Sequence, residues 1–147
     1  MNSSDVYLVQ TDTTVGFLSA DDKKLSLIKQ RDEKQKTLQV VDSFKTLKQF
    51  VRVPKQYRRR VRRSKTKTFI YPNNIGFRVI DKDTNHQNFI KKFGCLYSTS
   101  ANITKGNFDI SFAVENSDIV IYQKDGFLET NPSSIYKVYK KKLKRLR

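Results

Sequence analysis

Residues 94–103 read GCLYSTSANI: a short apolar approach, then Ser98, Thr99, Ser100, Ala101 and Asn102. Three hydroxyls and an amide within five positions supply too little apolar surface for a core. The run also lacks the Gly/Ser repeat of a flexible linker. Cys95 to Tyr97 reads as a strand leading into this polar run. Just upstream, residues 83–93 read as a helix closed by Gly94, with Phe89, Ile90 and Phe93 turned to the core. Polar loops at strand ends, flanked by helices, are where α/β domains build their sites.

Working outward, TFIY and IGFRVI form a predicted hairpin around Pro72-Asn73-Asn74. Before it, Pro54 starts a short helix within the densest basic stretch, PKQYRRRVRRSKTK. Ser43 caps a helix whose Phe44, Leu47, Phe50 and Val51 make an apolar stripe. Thr37 to Val41 reads as a strand. Ala20 to Arg31 reads as a helix with Asp21 and Asp22 in its first turn, Leu25 and Ile28 on one face, and Lys29 to Arg31 at its basic end. Val6 to Gln10 is a short buried strand ending at the turn Thr11-Asp12-Thr13-Thr14. Downstream come a helix over Phe108–Val114, a strand over Ile119–Tyr122, a turn at Asp125-Gly126 and a last strand over Ser134–Tyr139. The expected fold is a single α/β (α+β-like) domain over 1–139, a twisted mixed parallel/antiparallel sheet flanked by helices, with a basic tail at 140–147.

Composition narrows the function. The chain has 147 residues, 37% of them hydrophobic, with ten Phe and seven Tyr, enough for one cored domain. No apolar run has the length of a membrane span, and MNSSDVYLVQ does not read as a signal peptide, so a cytoplasmic protein is expected, without a membrane partner. A lone Cys95 excludes an internal disulfide framework, and with His86 as the single histidine a structural zinc site is not expected. The polar neighbours of His86 suggest a surface or capping position. Thirty Lys and Arg against fourteen Asp and Glu leave a net charge of +16, which favours polyanionic partners.

Three polar clusters are candidate site elements: Thr11 to Thr14, Lys29-Gln30-Arg31, and Ser98 to Asn102. Hydroxyls and exposed N–H groups hold phosphate oxygens. A Lys and an Arg two residues apart neutralise phosphates or orient a carboxylate. Asn offers both a donor and an acceptor. The set fits a nucleotide together with a small anion. Each cluster has a plainer use, as turn, helix end and ST-turn respectively. No GxxxxGK[ST] loop is present, which excludes a P-loop nucleotide binder.

Taken in order, these clusters resemble the YrdC-like family of threonylcarbamoyl-AMP synthases. Its PTDTxYGL-like turn is matched by Gln10 to Phe17, its KxR motif by Lys29-Gln30-Arg31 and its KPL segment by Lys36-Thr37-Leu38. The family's Arg-bearing strand is matched by Phe77-Arg78-Val79, STSAN letter for letter by Ser98 to Asn102, and a PST-type segment by Pro132-Ser133-Ser134. Gln10, Val15, Thr37 and Ile80 depart from the family's Pro, Tyr, Pro and Pro, and no PGPxT segment is present. The resemblance implies a YrdC-like fold and synthesis of threonylcarbamoyl-AMP from L-threonine, bicarbonate and ATP with Mg2+, releasing pyrophosphate. A downstream threonylcarbamoyl transferase would pass the product to tRNA. It implies Lys29 and Arg31 as catalytic charges, Thr11 and Thr13 at L-threonine, and Ser98, Ser100, Asn102, Arg78 and Ser133 at the nucleotide.

The alternative expectation is a catalytically reduced YrdC-like protein that binds tRNA or double-stranded RNA. Arg58, Arg59, Arg60, Arg62, Arg63 and Lys65 would contact phosphates. Tyr57, Tyr71 and Tyr97 offer rings for base stacking, although core packing is the commoner use of such rings. A hydrolytic or carbamoyl-transferring relative is a third reading, since related domains occur in hydrogenase maturation factors.

Overall fold

The computed structural model describes residues 1–147. Nine strands form one sheet. They are β1 (Tyr7–Gln10), β2 (Val15–Ser19), β3 (Gln39–Val41), β4 (Lys67–Ile70), β5 (Gly76–Val79), β6 (Cys95–Ser100), β7 (Ile119–Ile121), β8 (Ser134–Val138) and β9 (Leu143–Arg145). Their order is β7-β1-β2-β6-β3-β5-β4-β8-β9. The β1/β7, β3/β5 and β4/β8 pairs are parallel and the other five antiparallel, so the expected mixed sheet is present. Five helices accompany it: α1 (Asp22–Lys29), α2 (Phe44–Phe50), α3 (Arg58–Arg63), α4 (Asn85–Ile90) and α5 (Ile110–Glu115).

The register sorts side chains onto two faces, because cross-strand partners share a face and neighbours along a strand alternate. Val40 lies opposite both Leu96 and Arg78, and Leu18 lies opposite Ser98. These residues share the front face, where Tyr7, Val9, Leu18, Val40 and Leu96 pack under Phe89 and Ile90 of α4. On the back face, α1 and α5 cover Leu8 and Phe17 through Leu25 and Ala113. There too α2 and α3 cover Phe69 and Phe77 through Leu47 and Val61. Four helices thus coat the back, while α4 alone coats the front and leaves part of that face as an open polar hollow.

Several local expectations hold. Ser43 Oγ accepts the Thr46 N–H at 3.1 Å and starts α2, as a cap should. β4 and β5 pair as the predicted hairpin. Gly94 adopts φ +79°, a left-handed value suited to glycine, and its N–H closes the turn on the Ile90 carbonyl at 2.8 Å.

Other expectations are corrected. A strand the sequence reading passed over, β2, lies between β1 and β6 with all five residues buried. The helix expected from Ala20 starts after Asp21, whose carboxylate caps it by accepting the Lys23 and Lys24 N–H groups. It stops at Gln30, which turns left-handed with φ 51°. Residues 143–145, read as part of a tail, pair with β8 through Val138↔Leu143, Lys137↔Lys144 and Tyr136↔Arg145. His86 is neither at the surface nor a cap. Thr84 caps α4, and His86 is 3% exposed on its inner side. Tyr71 is 1% exposed and cannot stack on a base, and Tyr57 and Tyr97 pack against the apolar clusters of the back face. No helix is long and apolar enough to cross a membrane.

Candidate functional site

The polar hollow of the front face is a cavity of about 220 Å3. β2, β4, β5, β6 and β8 all contribute to its lining, together with the turn at Thr11–Thr14. Of the residues singled out from sequence, Thr11, Thr13, Arg31, Arg78, Ser98, Ser100 and Ser133 line it together. Thr14 of the Thr11–Thr14 cluster also lines it, as do Gly16, Thr68 and Arg147, which were not singled out as site residues. Three arginines face this space and no carboxylate does, so the cavity is built for an anion. Gly16 keeps it open: a Cβ there would stand 3.0 Å from the Thr99 carbonyl oxygen and 3.2 Å from Thr11 Cγ2.

The wall at Thr11–Thr14 rests on a buried charged cluster. Arg78 Nη2 lies 3.1 Å from Asp12 Oδ1, and Arg78 Nη1 donates to Thr13 Oγ1 at 3.3 Å. His86 Nδ1 lies 3.2 Å from the Asp12 backbone nitrogen and 3.4 Å from Asp12 Oδ1, so the ring packs directly on this turn. Burial holds the His86 pKa below its usual value, against the pull of Asp12. For Asp12, burial opposes the charge, but the contact with His86 and the charge of Arg78 prevail and lower its pKa. Burial lowers the Arg78 pKa while Asp12 raises it. Arg78 Nε has no partner in the chain. The Arg78 charge is therefore largely met by Asp12, and Arg78 offers the cavity a donor more than a net charge.

The KxR residues diverge, because the left-handed Gln30 between them ends the helix. Lys29, in the last turn of α1, is 6% exposed and lies outside the cavity lining. Its Nζ donates to the Ser100 carbonyl at 3.0 Å, to Asn102 Oδ1 at 2.8 Å and to the Asn102 carbonyl. Burial and the neighbouring Arg31 charge lower its pKa to about 8. Arg31 does reach the cavity. Its Nη2 donates to Thr37 Oγ1, which in turn donates to Asp22 Oδ1, and this relay fixes the guanidinium. Lys29 thus ties α1 to the 100–102 segment, and Arg31 is the member of the pair that faces the cavity.

The opposite wall comes from the sheet edge. Ser133 and Thr68 hydroxyls share a buried 2.8 Å hydrogen bond. Arg147 donates to the Ser133 carbonyl from Nη2 at 2.9 Å and Nε at 3.2 Å, so β9 delivers a third guanidinium to the cavity. Asn102 lines an adjoining hollow of about 170 Å3 that also includes Phe108, Glu129 and Thr130 and shares Thr14, Ser100 and Pro132 with the cavity. No cluster of three or more His, Cys, Asp or Glu side chains is placed to hold a metal ion. Arg58, Arg59, Arg60, Arg62, Arg63 and Lys65 lie away from the cavity, on α3 and just after it.

No family model matches the chain, and no curated protein matches it significantly in sequence. Solved structures do match. Sua5 of P. abyssi, in a structure complexed with L-threonine, superposes with a TM-score of 0.79 at 14% identity, covering 98% of this chain and 50% of that one. YciO of E. coli gives 0.76 at 14% identity, covering 98% and 82%. Full-length HypF, in its phosphate- and nucleotide-bound form, gives 0.73 at 13% identity, covering 98% and 27%. This chain thus spans about half of Sua5 and about a quarter of HypF. The mixed sheet, its four-helix back and its open polar front are together a YrdC-like fold, the fold of Sua5 and YciO.

Proposed function

We propose that the chain is an L-threonylcarbamoyladenylate synthase. It joins L-threonine, bicarbonate and ATP into threonylcarbamoyl-AMP and releases pyrophosphate. The observation that carries this reading is the carboxylate-free cavity in which Arg31, Arg78 and Arg147 converge with the hydroxyls of Ser98, Ser100 and Ser133. The L-threonine of the Sua5 structure and the phosphate and nucleotide of the HypF structure belong to those proteins. On a shared fold they support the same ligand classes here.

The chemistry asks for placement and charge more than for covalent help. The carbamate oxygen of N-carboxythreonine attacks the α-phosphorus of ATP. The bond from that phosphorus to the bridging oxygen breaks, and its electron pair leaves with pyrophosphate. Arg31 and Arg147 neutralise the triphosphate. Thr11 and Thr13, held by Asp12 and Arg78, bound the amino-acid end. Ser98, Ser100 and Ser133 hydrogen-bond phosphate oxygens. The adjoining hollow at Asn102 takes the nucleoside. Lys29 is a positioning residue acting through Ser100 and Asn102. Mg2+ enters with ATP as part of that substrate, because Asp12 at the cavity wall is committed to Arg78 and Glu129 of the adjoining hollow is a lone carboxylate. A downstream transferase consumes the mixed anhydride and delivers it to tRNA.

The test is pyrophosphate release from ATP with Mg2+, bicarbonate and L-threonine, each omitted in turn. Release that needs all of them supports the synthase. Release that is independent of threonine, or no release from folded protein that binds ATP, overturns it.

A further inference from the structure

Between Asp42 and Asp81 the chain has no acidic residue. Ser43–Ile80 contains twelve Lys and Arg, and α3 carries five arginines in six positions. Like charges three and four apart on a helix repel one another, as Arg58 and Arg62 do, and Arg59 and Arg63. Nothing in the chain relieves them: Lys65–Asp81 at 3.0 Å is the one ion pair in this region apart from that of the cavity-facing Arg78. α3 is nonetheless held firmly. Val61, its single apolar residue, is 2% exposed in the back-face core. The cluster's charge is thus left to solvent and counter-ions, which a bound polyanion would displace.

The sheet register fixes where this charge sits. Thr68 and Ile135 are cross-strand partners and line the front cavity. The next residue pair, Phe69 and Tyr136, turns to the back, where Arg60 lies 5.1 Å and Lys67 5.7 Å from the Tyr136 ring centre. Two hollows flank the ridge Arg63-Ser64-Lys65. One, of about 610 Å3, is lined by five cations with neither an acidic nor an apolar residue. The other, of about 720 Å3, adds Arg62 and Lys45, Lys48 and Lys82 from α2 and the loop after β5; it also holds Asp42 and Asp81, the latter paired with Lys65, so cations outnumber carboxylates there six to two. Neither shares a residue with the front cavity.

We propose that this back-face surface, centred on α3 and independent of the cavity's chemistry, docks the phosphodiester backbone of a nucleic acid. Arg60 over Tyr136 and Arg62 over Phe44, at 5.1 and 5.5 Å, have their guanidinium groups backed by rings, which leaves the N–H edges for paired phosphate oxygens. A membrane-binding helix would set large apolar side chains beside its cations, whereas the only one of α3 is buried in the core. Two adjoining hollows in which cations outnumber carboxylates eleven to two, counting the shared Arg63 and Lys65 in each, suit an extended polyanion better than a single anionic group.

The test compares two variants of the full chain that each remove three charges. Arg59→Ala/Arg60→Ala/Arg63→Ala alters the surface, and Lys91→Ala/Lys92→Ala/Lys124→Ala alters exposed lysines elsewhere. Binding of a labelled RNA duplex of about 20 base pairs is followed by fluorescence anisotropy over a range of KCl concentrations. The α3 variant is expected to bind about tenfold more weakly or worse, with its log–log salt slope reduced by about two to three. The lysine variant is expected to stay within about twofold of wild type. Should the Arg60 change disturb the packing on Tyr136, Arg59→Gln/Arg63→Gln removes two solvent-directed charges and is expected to lower the slope by about two. Equal weakening by the two triple variants would overturn the proposal, since net charge alone would then explain the binding. It would also fail if polyglutamate competes as well as RNA, or if anionic vesicles without exposed phosphodiester polymer bind through the same arginines more tightly. Pyrophosphate release by the α3 variant, unchanged from wild type, separates this result from any failure of the cavity reading.

Discussion

Replacing Lys29 by methionine separates folding from ligand binding in a way that follows from its surroundings. The Nζ meets the Ser100 carbonyl, the Asn102 carbonyl and Asn102 Oδ1 from a site that is 6% exposed. Its pKa of about 8 means that the charged form is disfavoured there by about 3 kcal/mol relative to water. Methionine removes that burden. It also removes charge-assisted hydrogen bonds worth about 1.5–3 kcal/mol each before solvent replaces part of them. These effects oppose one another, so urea unfolding at pH 7 should shift by less than about 2 kcal/mol. Ligand binding has no such compensation. With Ser100 and Asn102 released, ATP affinity by calorimetry should fall by roughly 10- to 150-fold, the equivalent of one charged hydrogen bond. The pH dependence gives a second reading. The native pKa lies below that of a free lysine, so between about pH 8 and 10.4 the unfolded chain holds the extra proton and wild-type stability rises with pH. The variant should lack that rise. ATP affinity within threefold of wild type, or a stability loss above about 4 kcal/mol, would refute the assignment of Lys29 as an anchor rather than a ligand-facing charge or a keystone of the core.

Three further outcomes follow from the walls of the cavity. Asp12→Asn leaves Arg78 charged and buried without its counter-ion, which should cost about 3–5 kcal/mol in denaturant unfolding. Since the Asp12 pKa is lowered, the stability it confers is present above about pH 4 and lost as the pH falls further, and the variant should show a flatter acid limb. His86→Asn should flatten the curve in a different window. The native ring resists protonation while the unfolded one accepts a proton below about pH 6.5, so wild-type stability falls as the pH drops through that value. Urea midpoints at pH 5 and 7.5 for both proteins measure this. Gly16→Ala places a Cβ 3.0 Å from the Thr99 carbonyl oxygen and should cost about 1–3 kcal/mol by overpacking, read as a lowered thermal midpoint.

Local chemistry was legible in the sequence, and pairing was not. The Ser43 cap, the Pro72-Asn73-Asn74 hairpin and the approach to Ser98 depend on neighbours within a few residues. β2 was missed because it is buried on both faces between β1 and β6, so it shows no alternation, and Gly16 weakens its strand signature. β9 was missed because KKKLKRLR is dominated by charge. Of its three residues only Leu143 packs against the core, and the pairing with β8 is tertiary information. The polar residues of α4 misled for a related reason. His86 and Gln87 point inward to satisfy the backbone at Asp12, Asp42 and Asp83, a task that hydrophobic periodicity does not reveal. For the site, the hydroxyl run and KxR indicated the right region. Spacing alone did not show that the left-handed Gln30 sends Lys29 and Arg31 in different directions. Arg147 and Thr68 became site residues only once β8 and β9 closed the far wall.

The cavity itself is tested most directly by titrating ATP with Mg2+ into the wild-type protein and into Arg31→Ala, with heat of binding as the readout. Arg31 has no carboxylate within salt-bridge reach and presents its charge to the cavity, so wild type should bind and the variant should bind at least tenfold more weakly while unfolding at nearly the same temperature. ATP binding of equal strength in both proteins would place the nucleotide elsewhere and contradict the assignment of this cavity.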